Sequence, residues 1–109
     1  MSNPFTVHLI SWHDGEPLLR AIREKVFMQE QGVPAELEWD GLDDVCHHAL
    51  ALSANGDAIG CGRITVDGHI GRVAVLPEWR RKHIGSAILE TLVDYARSQH
   101  YEHIELNAQ

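Results

Sequence analysis

The segment Leu76–Glu90, LPEWRRKHIGSAILE, joins a basic turn to the start of an apolar helical pattern. Three cations precede the predicted helix and two small residues open it: Arg80, Arg81, Lys82, Gly85 and Ser86. The first turn of a helix has backbone N–H groups without intrahelical acceptors and carries a partial positive charge, so it favours an anion. Small side chains let a ligand approach the backbone closely. The segment predicts a phosphate or pyrophosphate site, and a solvated basic turn is the alternative.

Metal-ligand residue types occur together in Asp43–His48, DDVCHH. Successive side chains of a strand point to opposite faces, so Cys46 and His48 would not easily join His47 at one ion. No second ligand cluster completes a zinc pattern, and we predict no metal site. The two histidines either line a pocket or occupy buried or edge positions without a catalytic role. Cys61, between two glycines, is predicted to be a buried strand residue rather than a nucleophile.

The amino-terminal part of the chain predicts a strand followed by a helix. Residues 5–12, FTVHLISW, are rich in β-forming residues, and a helical apolar spacing begins near Glu16. Asp14 or Glu16 is the predicted cap, with Pro17 in the first turn. We expect this helix to end at Gly32, before an acidic and irregular loop.

The remainder of the chain predicts three strands, a helix and a final strand, in segments 47–53, 58–66, 69–76, 84–99 and 102–108. Asn55-Gly56 is a hairpin signal, and the change of alternation near Gly62 indicates a bulge. The continuous apolar run Val73–Leu76 predicts a central strand covered on both faces. The helix before the final strand predicts that the last two strands are parallel.

Composition limits the classes of partner. The 109 residues fit one domain, and their formal net charge of −7 argues against general nucleic-acid binding. Two cysteines do not form a disulfide framework, and neither a signal peptide nor a membrane-spanning run is recognisable. A local basic site on an acidic protein favours an anionic small molecule, and we expect a cytoplasmic protein.

The segment GRVAVLPEWRRKHIGSAILETLVDYAR resembles the acetyl-coenzyme-A signature of the GCN5-related N-acetyltransferase (GNAT) family. The core motif of that family is Arg/Gln-x-x-Gly-x-Gly/Ala, in which Arg80 matches the first position and Gly85 the last. His83 stands where the family has its first glycine. The segment REKVFMQEQGVPAELEWDGLDD is similar to part of a small bacterial subgroup, so the resemblance extends over nearly the whole chain.

The resemblance implies an α+β fold (mixed α/β), the acyl-CoA N-acyltransferase fold, in one domain over residues 1–109. Its sheet is mostly antiparallel, with a parallel strand–helix–strand unit near the carboxyl end. Backbone groups of Val73 and Val75 would bind the pantetheine arm, and the amides of residues 81–86 would hold the pyrophosphate, with Arg80 and Lys82 adding charge. The implied coenzyme-binding set is Val73, Ala74, Val75, Arg80, Arg81, Lys82, His83, Ile84, Gly85 and Ser86.

The implied reaction is transfer of an acetyl group from acetyl-CoA to an amine, by direct attack of the amine on the thioester. A base must remove the amine proton, and the acidic loop that borders the acceptor site by resemblance contains Glu36, Glu38 and Asp40. We predict Glu38 and Asp40 as the catalytic candidates, and a solvated acidic loop is the alternative for each. These carboxylates also suit a cationic small amine or peptide acceptor.

Two departures from the family pattern qualify these expectations. His83 would cost about 1 kcal/mol or more if its position requires a positive φ. The family continues past its fifth strand with a helix and two strands, so we expect this chain to be truncated after that strand. Two other functions follow as alternatives: a non-catalytic acetyl-CoA or nucleotide-binding module, and an interaction protein completed at its fifth strand by another chain, including a homo-oligomer.

Overall fold

The computed structural model describes residues 4–106, which form a five-stranded sheet with helices on both faces. The strands are β1 (Phe5–Ser11), β2 (His47–Ser53), β3 (Ala58–Ile64), β4 (His69–Val75) and β5 (Glu105–Leu106). The helices are α1 (Trp12–Arg23), α2 (Ala35–Glu38) and α3 (Ile84–Ser98), with a π-helical segment Glu24–Glu30 continuing α1. Short 3₁₀ turns cover Asp43–Val45 and Pro77–Trp79. No helix in this described part is long and apolar enough to cross a membrane.

The sheet has the strand order β1-β2-β3-β4-β5. The first three pairings are antiparallel, and β4 pairs with β5 in parallel. A parallel pair requires a crossover connection, which α3 supplies. The predicted fold class and the predicted parallel end of the sheet are therefore confirmed.

The core lies in two layers, one on each face of the sheet. The layer under α3 contains Ala49, Ala51, Ile59, Ile64, Ile70, Ile84, Ile88, Leu92 and Ala96, all buried. The layer under α1 contains Leu19, Ile22, Val26, Phe27, Leu50, Cys61 and Ala74. Val73 and Val75 pack into the α3 layer while Ala74 packs into the α1 layer, so β4 is covered on both faces, as its apolar run predicts.

A bulge interrupts the pairing of β3 with β4. The register shifts between Cys61 and Arg63, which confirms the irregularity predicted near Gly62. On the facing strand Arg72 has φ 54°, a left-handed conformation. In a regular strand, residues three positions apart point to opposite faces. Ile70 and Val73 nevertheless both pack into the α3 layer, because the bulge inserts one extra residue between them. The bulge thus turns the side chain of Arg72 toward the face of the sheet opposite the α3 layer.

The predicted start of α1 is wrong. The helix begins at Trp12, and the hydroxyl oxygen of Ser11 accepts a hydrogen bond from the backbone N–H of Asp14 at 3.1 Å. Gly15 lies inside the helix because an added Cβ would come within 2.9 Å of the Cδ1 atom of Ile10. Pro17 consequently lies in the second turn rather than the first. Close packing against β1 requires glycine at this position within the helix.

The other predicted boundaries fall close to the observed ones. The predicted helix 84–99 corresponds to α3 over Ile84–Ser98. The final strand, predicted over 102–108, is described only as Glu105–Leu106, and its last two predicted residues lie outside the described part.

Candidate functional site

The turn from β4 into α3 contains two residues with left-handed backbone, Arg81 at φ 64° and His83 at φ 65°. His83 is the N-cap residue of α3, and no side chain caps this helix. Backbone N–H groups at such a turn and in the first helical turn point toward one concave surface, which suits an anion. His83 therefore occupies the strained conformation that a glycine would adopt without cost.

A cleft of about 490 Å³ lies against this turn. Its walls are Val75, Trp79, Arg80, Arg81, His83, Ile84, Gly85 and Ser86. The structure thus brings together seven of the ten residues predicted to bind the coenzyme; Val73, Ala74 and Lys82 are not in the cleft wall. Trp79 also packs against the α3 layer.

Gly85 is not explained by the fold. Its φ does not fall in the left-handed range, and an added Cβ would meet only the Cγ2 atom of Val75, at 3.9 Å. That separation is an ordinary van der Waals contact, and alanine is the better helix former. Neither the backbone nor the packing of residues 4–106 requires glycine here. A ligand in the cleft would explain it, because such a ligand needs close access to the backbone.

Arg80 holds the turn to the end of the π-helical segment. Its guanidinium forms two bonds to the carboxylate of Glu30, at 2.6 and 2.7 Å, and its Nε donates to the carbonyl oxygen of Val75 at 2.9 Å. The hydrogen bond with Arg80 lowers the pKa of Glu30. The charge of Arg80 is therefore paired with a residue 50 positions away, for which the local sequence contains no signal.

Among the described residues, one edge of β4 is open over much of its length. The backbone N–H of Leu76 donates to the carbonyl of Ile59 on β3, at 2.9 Å. Because backbone groups of a strand alternate between its two edges, those of Val75 and Val73 point to the opposite edge. There, β5 pairs with β4 only at His69 and Ile70 among the described residues. Beyond Ile70, backbone groups along that edge are thus available within residues 4–106, except the carbonyl of Val75, which accepts a hydrogen bond from Arg80.

The predicted bases Glu38 and Asp40 lie in an arginine–carboxylate cluster, which we define as Arg23, Arg63, Arg72, Glu38, Asp40 and Asp43. Arg23 contacts Glu38 at 2.7 Å and Asp43 at 2.6 Å. The cluster joins α1 and the acidic loop to β3 and β4, and its three cations balance its three anions.

Both predicted bases are already engaged as carboxylates. Glu38 is 2% exposed and contacts Arg23 as well as the Nε of Arg72, at 3.2 Å. The side-chain hydrogen bond from Arg63 holds the pKa of Asp40 far below its usual range. Asp40 nonetheless lines an open cleft, whereas Glu38 does not. Their role as proton acceptors remains a prediction.

That second cleft, which we call the β4 cleft, has a volume of about 620 Å³. Its lining residues are Asp40, Leu42, Val45, Cys46, Arg63, Thr65, Val66, Asp67, His69 and Arg72. The apolar side chains Leu42, Val45 and Val66 are exposed on its wall, and the β4 bulge brings Arg72 to it. Neither His69 nor Asp67 is recognisable as a site residue from the sequence, although both flank the Gly68 turn.

The histidine pair of β2 does not line either cleft. A ring nitrogen of His48, 1% exposed, lies 2.9 Å from the carbonyl of Asp43, and burial lowers its pKa. His47 points to the other face and contacts the hydroxyl of Tyr95 at 3.0 Å. Cys61 is buried, and burial raises its pKa to about 12. No group of three metal-ligand side chains occurs in residues 4–106.

Comparison with known proteins identifies the family. The profile described as "Acetyltransferase (GNAT) family" matches residues 10–109. The chain belongs to the GNAT acetyltransferase family. It is 32% identical over 94 residues to a Bacillus subtilis (strain 168) protein named as an acetyltransferase, covering 81% of this chain and 63% of the relative. It is 33% identical over 91 residues to the N-acetyltransferase YjcF of the same organism, covering 81% of this chain and 64% of YjcF.

Solved structures share the GNAT fold with this chain. A crystal structure of an N-acetyltransferase from Lactobacillus plantarum superposes with a TM-score of 0.86 at 22% identity, over 98% of this chain and 77% of that protein. The aminoglycoside N-acetyltransferase AAC(6')-Iy, solved with CoA, superposes with a TM-score of 0.75 at 11% identity, over 100% of this chain and 80% of that one. At these identities the likeness concerns the fold alone.

Proposed function

We propose that this protein transfers an acetyl group from acetyl-CoA to an amine by direct attack of the amine on the thioester. The observation that carries the proposal is the cleft at the amino-terminal end of α3, where Gly85 leaves room that the protein itself does not use. A second observation is the open edge of β4, which leads away from this cleft toward the β4 cleft.

In this proposal the pyrophosphate lies against the turn. The backbone N–H groups from Arg81 to Ser86 hold it, and the side chains of Arg80 and Lys82 add positive charge. The phosphates would then compete with Glu30 for the guanidinium of Arg80. The aminoglycoside acetyltransferase solved with CoA and with a CoA bisubstrate analogue supports this assignment by its fold.

The pantetheine arm is proposed to lie along the open edge of β4, bound by the backbone groups of Val73 and Val75, with Ala74 between them facing the core. Acetyl-CoA supplies an activated acyl group as a thioester. A backbone N–H on the β4 edge that has no partner among residues 4–106 can donate a hydrogen bond to the carbonyl oxygen as that oxygen gains charge. Of the two predicted catalytic residues, Asp40 is proposed to face the acceptor amine in the β4 cleft, and Glu38 to orient the loop through Arg23 and Arg72.

The activity is tested in two stages. Calorimetry with acetyl-CoA should detect binding, and an assay for free thiol should detect turnover with at least one of ethanolamine, phenethylamine, Nα-acetyl-lysine and kanamycin. No heat on titration with acetyl-CoA would exclude both the enzyme and a coenzyme-binding module. Binding without thiol release from any amine would favour the binding module.

The coenzyme position is tested by Gly85→Ala. Because the added Cβ fits the protein, this variant should be at least as stable as the parent, while coenzyme affinity falls about tenfold or more as the methyl group meets the ligand. Ser98→Ala, at the opposite end of α3, is the matched control and should leave affinity unchanged. Unaltered affinity in Gly85→Ala would place the coenzyme elsewhere.

We further propose that residues 1–109 belong to a single N-acetyltransferase domain and that the protein is cytoplasmic. The interaction alternative concerns β5, on which Leu106 is 61% exposed. A change of mass in solution on adding acetyl-CoA, or a stable oligomer without it, would favour that alternative.

A further inference from the structure

His69 lies at the start of β4 between two carboxylates. Its Nδ1 is 3.2 Å from the Oδ2 of Asp67, and its Nε2 is 2.7 Å from the Oε2 of Glu105 on β5. Asp67 also accepts a hydrogen bond from the hydroxyl of Thr65, and Glu105 contacts the ring of His103 at 2.7 Å. The imidazole is therefore oriented from both sides, as a positioned acid or base must be.

The two ring nitrogens face different surroundings. His69 and Asp67 line the β4 cleft, but Glu105 does not, so Nδ1 is on the cleft side and Nε2 on the β5 side. The cleft-side partner is the looser one, since Asp67 is 68% exposed and its contact is the longer of the two. A substrate entering the cleft can displace Asp67 from Nδ1 while Glu105 keeps Nε2.

His69 lies at the paired end of β4, two residues before the edge that is open among residues 4–106. From Val75, at the cleft of the α3 turn, to His69 the strand spans about 20 Å for six residues. His69 and the bulged Arg72 both reach the β4 cleft, on the face opposite Ile70 and Val73. A thioester that passes Val75 and Val73 would thus approach the β4 cleft, which the imidazole lines.

Charged groups around the imidazole favour its protonated form. The hydrogen bond to Asp67 raises the pKa of His69, and Glu105 acts in the same direction. The other charged groups of the β4 cleft are Arg63, Arg72 and Asp40, which pair within the arginine–carboxylate cluster. The neighbouring carboxylates therefore stabilise the protonated form of His69. The arginines around Asp40 instead stabilise its deprotonated form.

We propose that His69 accepts the proton of the acceptor amine at Nδ1 and returns it to the sulfur, with Glu105 as the residue that positions the ring. This inference rests on the proposed acetyl transfer. The neutral amine forms the C–N bond while the C=O π pair moves to oxygen, and an N–H proton passes to Nδ1. When that pair returns, the C–S bond breaks, the sulfur takes the bonding pair, and the proton on Nδ1 passes to it. The products are the amide and a free thiol, and His69 is neutral again.

The experiment measures acetyl transfer by the chain to the amine of highest turnover in the panel, from pH 5.5 to 9. Parent activity should rise with pH, with a midpoint above about 6.5, the ordinary value for histidine. His69→Gln should lose the part of that rise whose midpoint coincides with titration of the His69 ring, and about 100-fold or more in kcat, with acetyl-CoA affinity unchanged within twofold. His13→Gln, an exposed histidine of α1, is the matched control and should match the parent.

The carboxylates give a second readout. Asp67→Asn and Glu105→Gln each remove a charge that favours the imidazolium, so both should move the midpoint to lower pH. Glu105→Gln should also lower kcat more than Asp67→Asn, since it loses the positioning contact. Titration of the His69 ring by NMR, which needs no turnover, should show the same shift of the midpoint to lower pH in both variants.

The outcomes separate the two proposals. A parent chain that binds acetyl-CoA but acetylates no amine refutes the proposed transfer, and the role of His69 with it. An active parent with an unchanged pH profile in His69→Gln refutes the role of His69 alone. If His69→Gln does not fold, the midpoints of Asp67→Asn and Glu105→Gln supply the test, and unshifted midpoints would overturn the inference.

Discussion

His83 and His100 offer a matched pair for measuring backbone strain at the coenzyme turn. Both histidines have left-handed backbone, with φ 65° and 59°. His83 lies at the amino end of α3, whereas His100 follows its carboxyl end. There, the N–H of His100 donates to Arg97 and that of Tyr101 to Ala96, at 3.1 and 3.0 Å, which is the Schellman arrangement that favours glycine.

The expected effect of glycine is the difference between two contributions. Removing a side chain from the left-handed region relieves about 1–2 kcal/mol, and the greater freedom of glycine in the unfolded chain costs about 0.4–1 kcal/mol. We therefore expect His83→Gly and His100→Gly each to stabilise the fold by about 0.5–1 kcal/mol. With a urea m value of about 2 kcal/mol per M, the unfolding midpoint should rise by about 0.3–0.5 M.

Coenzyme binding should distinguish the two positions. The proposed contacts of His83 are backbone amides, so His83→Gly should bind acetyl-CoA as tightly as the parent or up to severalfold tighter, measured by calorimetry. His100→Gly should bind like the parent. A loss of more than tenfold in His83→Gly alone would mean that the imidazole itself contacts the coenzyme. A lowered urea midpoint in both variants would refute the strain argument.

Three further predictions concern groups that are buried or held in ion pairs. Glu38→Gln should lower the free energy of unfolding by about 3–5 kcal/mol, measured in urea, because it leaves a buried guanidinium without its full charge balance. Since the folded-state pKa of Asp40 is depressed, its stabilising contribution should be present above about pH 4 and be lost as the pH falls further; Asp40→Asn should flatten this acid limb of the unfolding curve. Cys61 should resist a thiol reagent at pH 8 until the protein unfolds, as peptide mapping by mass spectrometry can determine.

The elements around the coenzyme turn could be predicted from sequence because their signals are local. The apolar run of β4, the basic turn and the spacing of α3 all occur within about thirty residues, and α3 begins at the predicted Ile84. The start of α1 was predicted wrongly because Gly15 and Pro17 are local signals for a break. Contact of Gly15 with Ile10 on β1 outweighed that propensity.

The surroundings of the candidate proton-transfer groups could not be predicted from local sequence signals. Glu38 and Asp40 were recognisable as carboxylates, but their pairing with Arg23 and Arg63 spans 15 and 23 residues. Only the fold decides whether such a carboxylate is free or held, since ion pairing depends on which elements lie side by side. The position of His69 beside Glu105 likewise follows from the parallel pairing of β4 with β5.

By itself, the sequence determined the family, the order of elements and the anion-binding character of the turn at Arg80–Ser86, because a helix start exposes its N–H groups whatever surrounds it. Tertiary structure decided which charges remain available for chemistry. The fold pairs the carboxylates of the acidic loop with buried arginines. It also places His69 between two carboxylates at the end of β4 that pairs with β5. Charges act over a few ångströms of space, and the distances between them are fixed only when the strands pair.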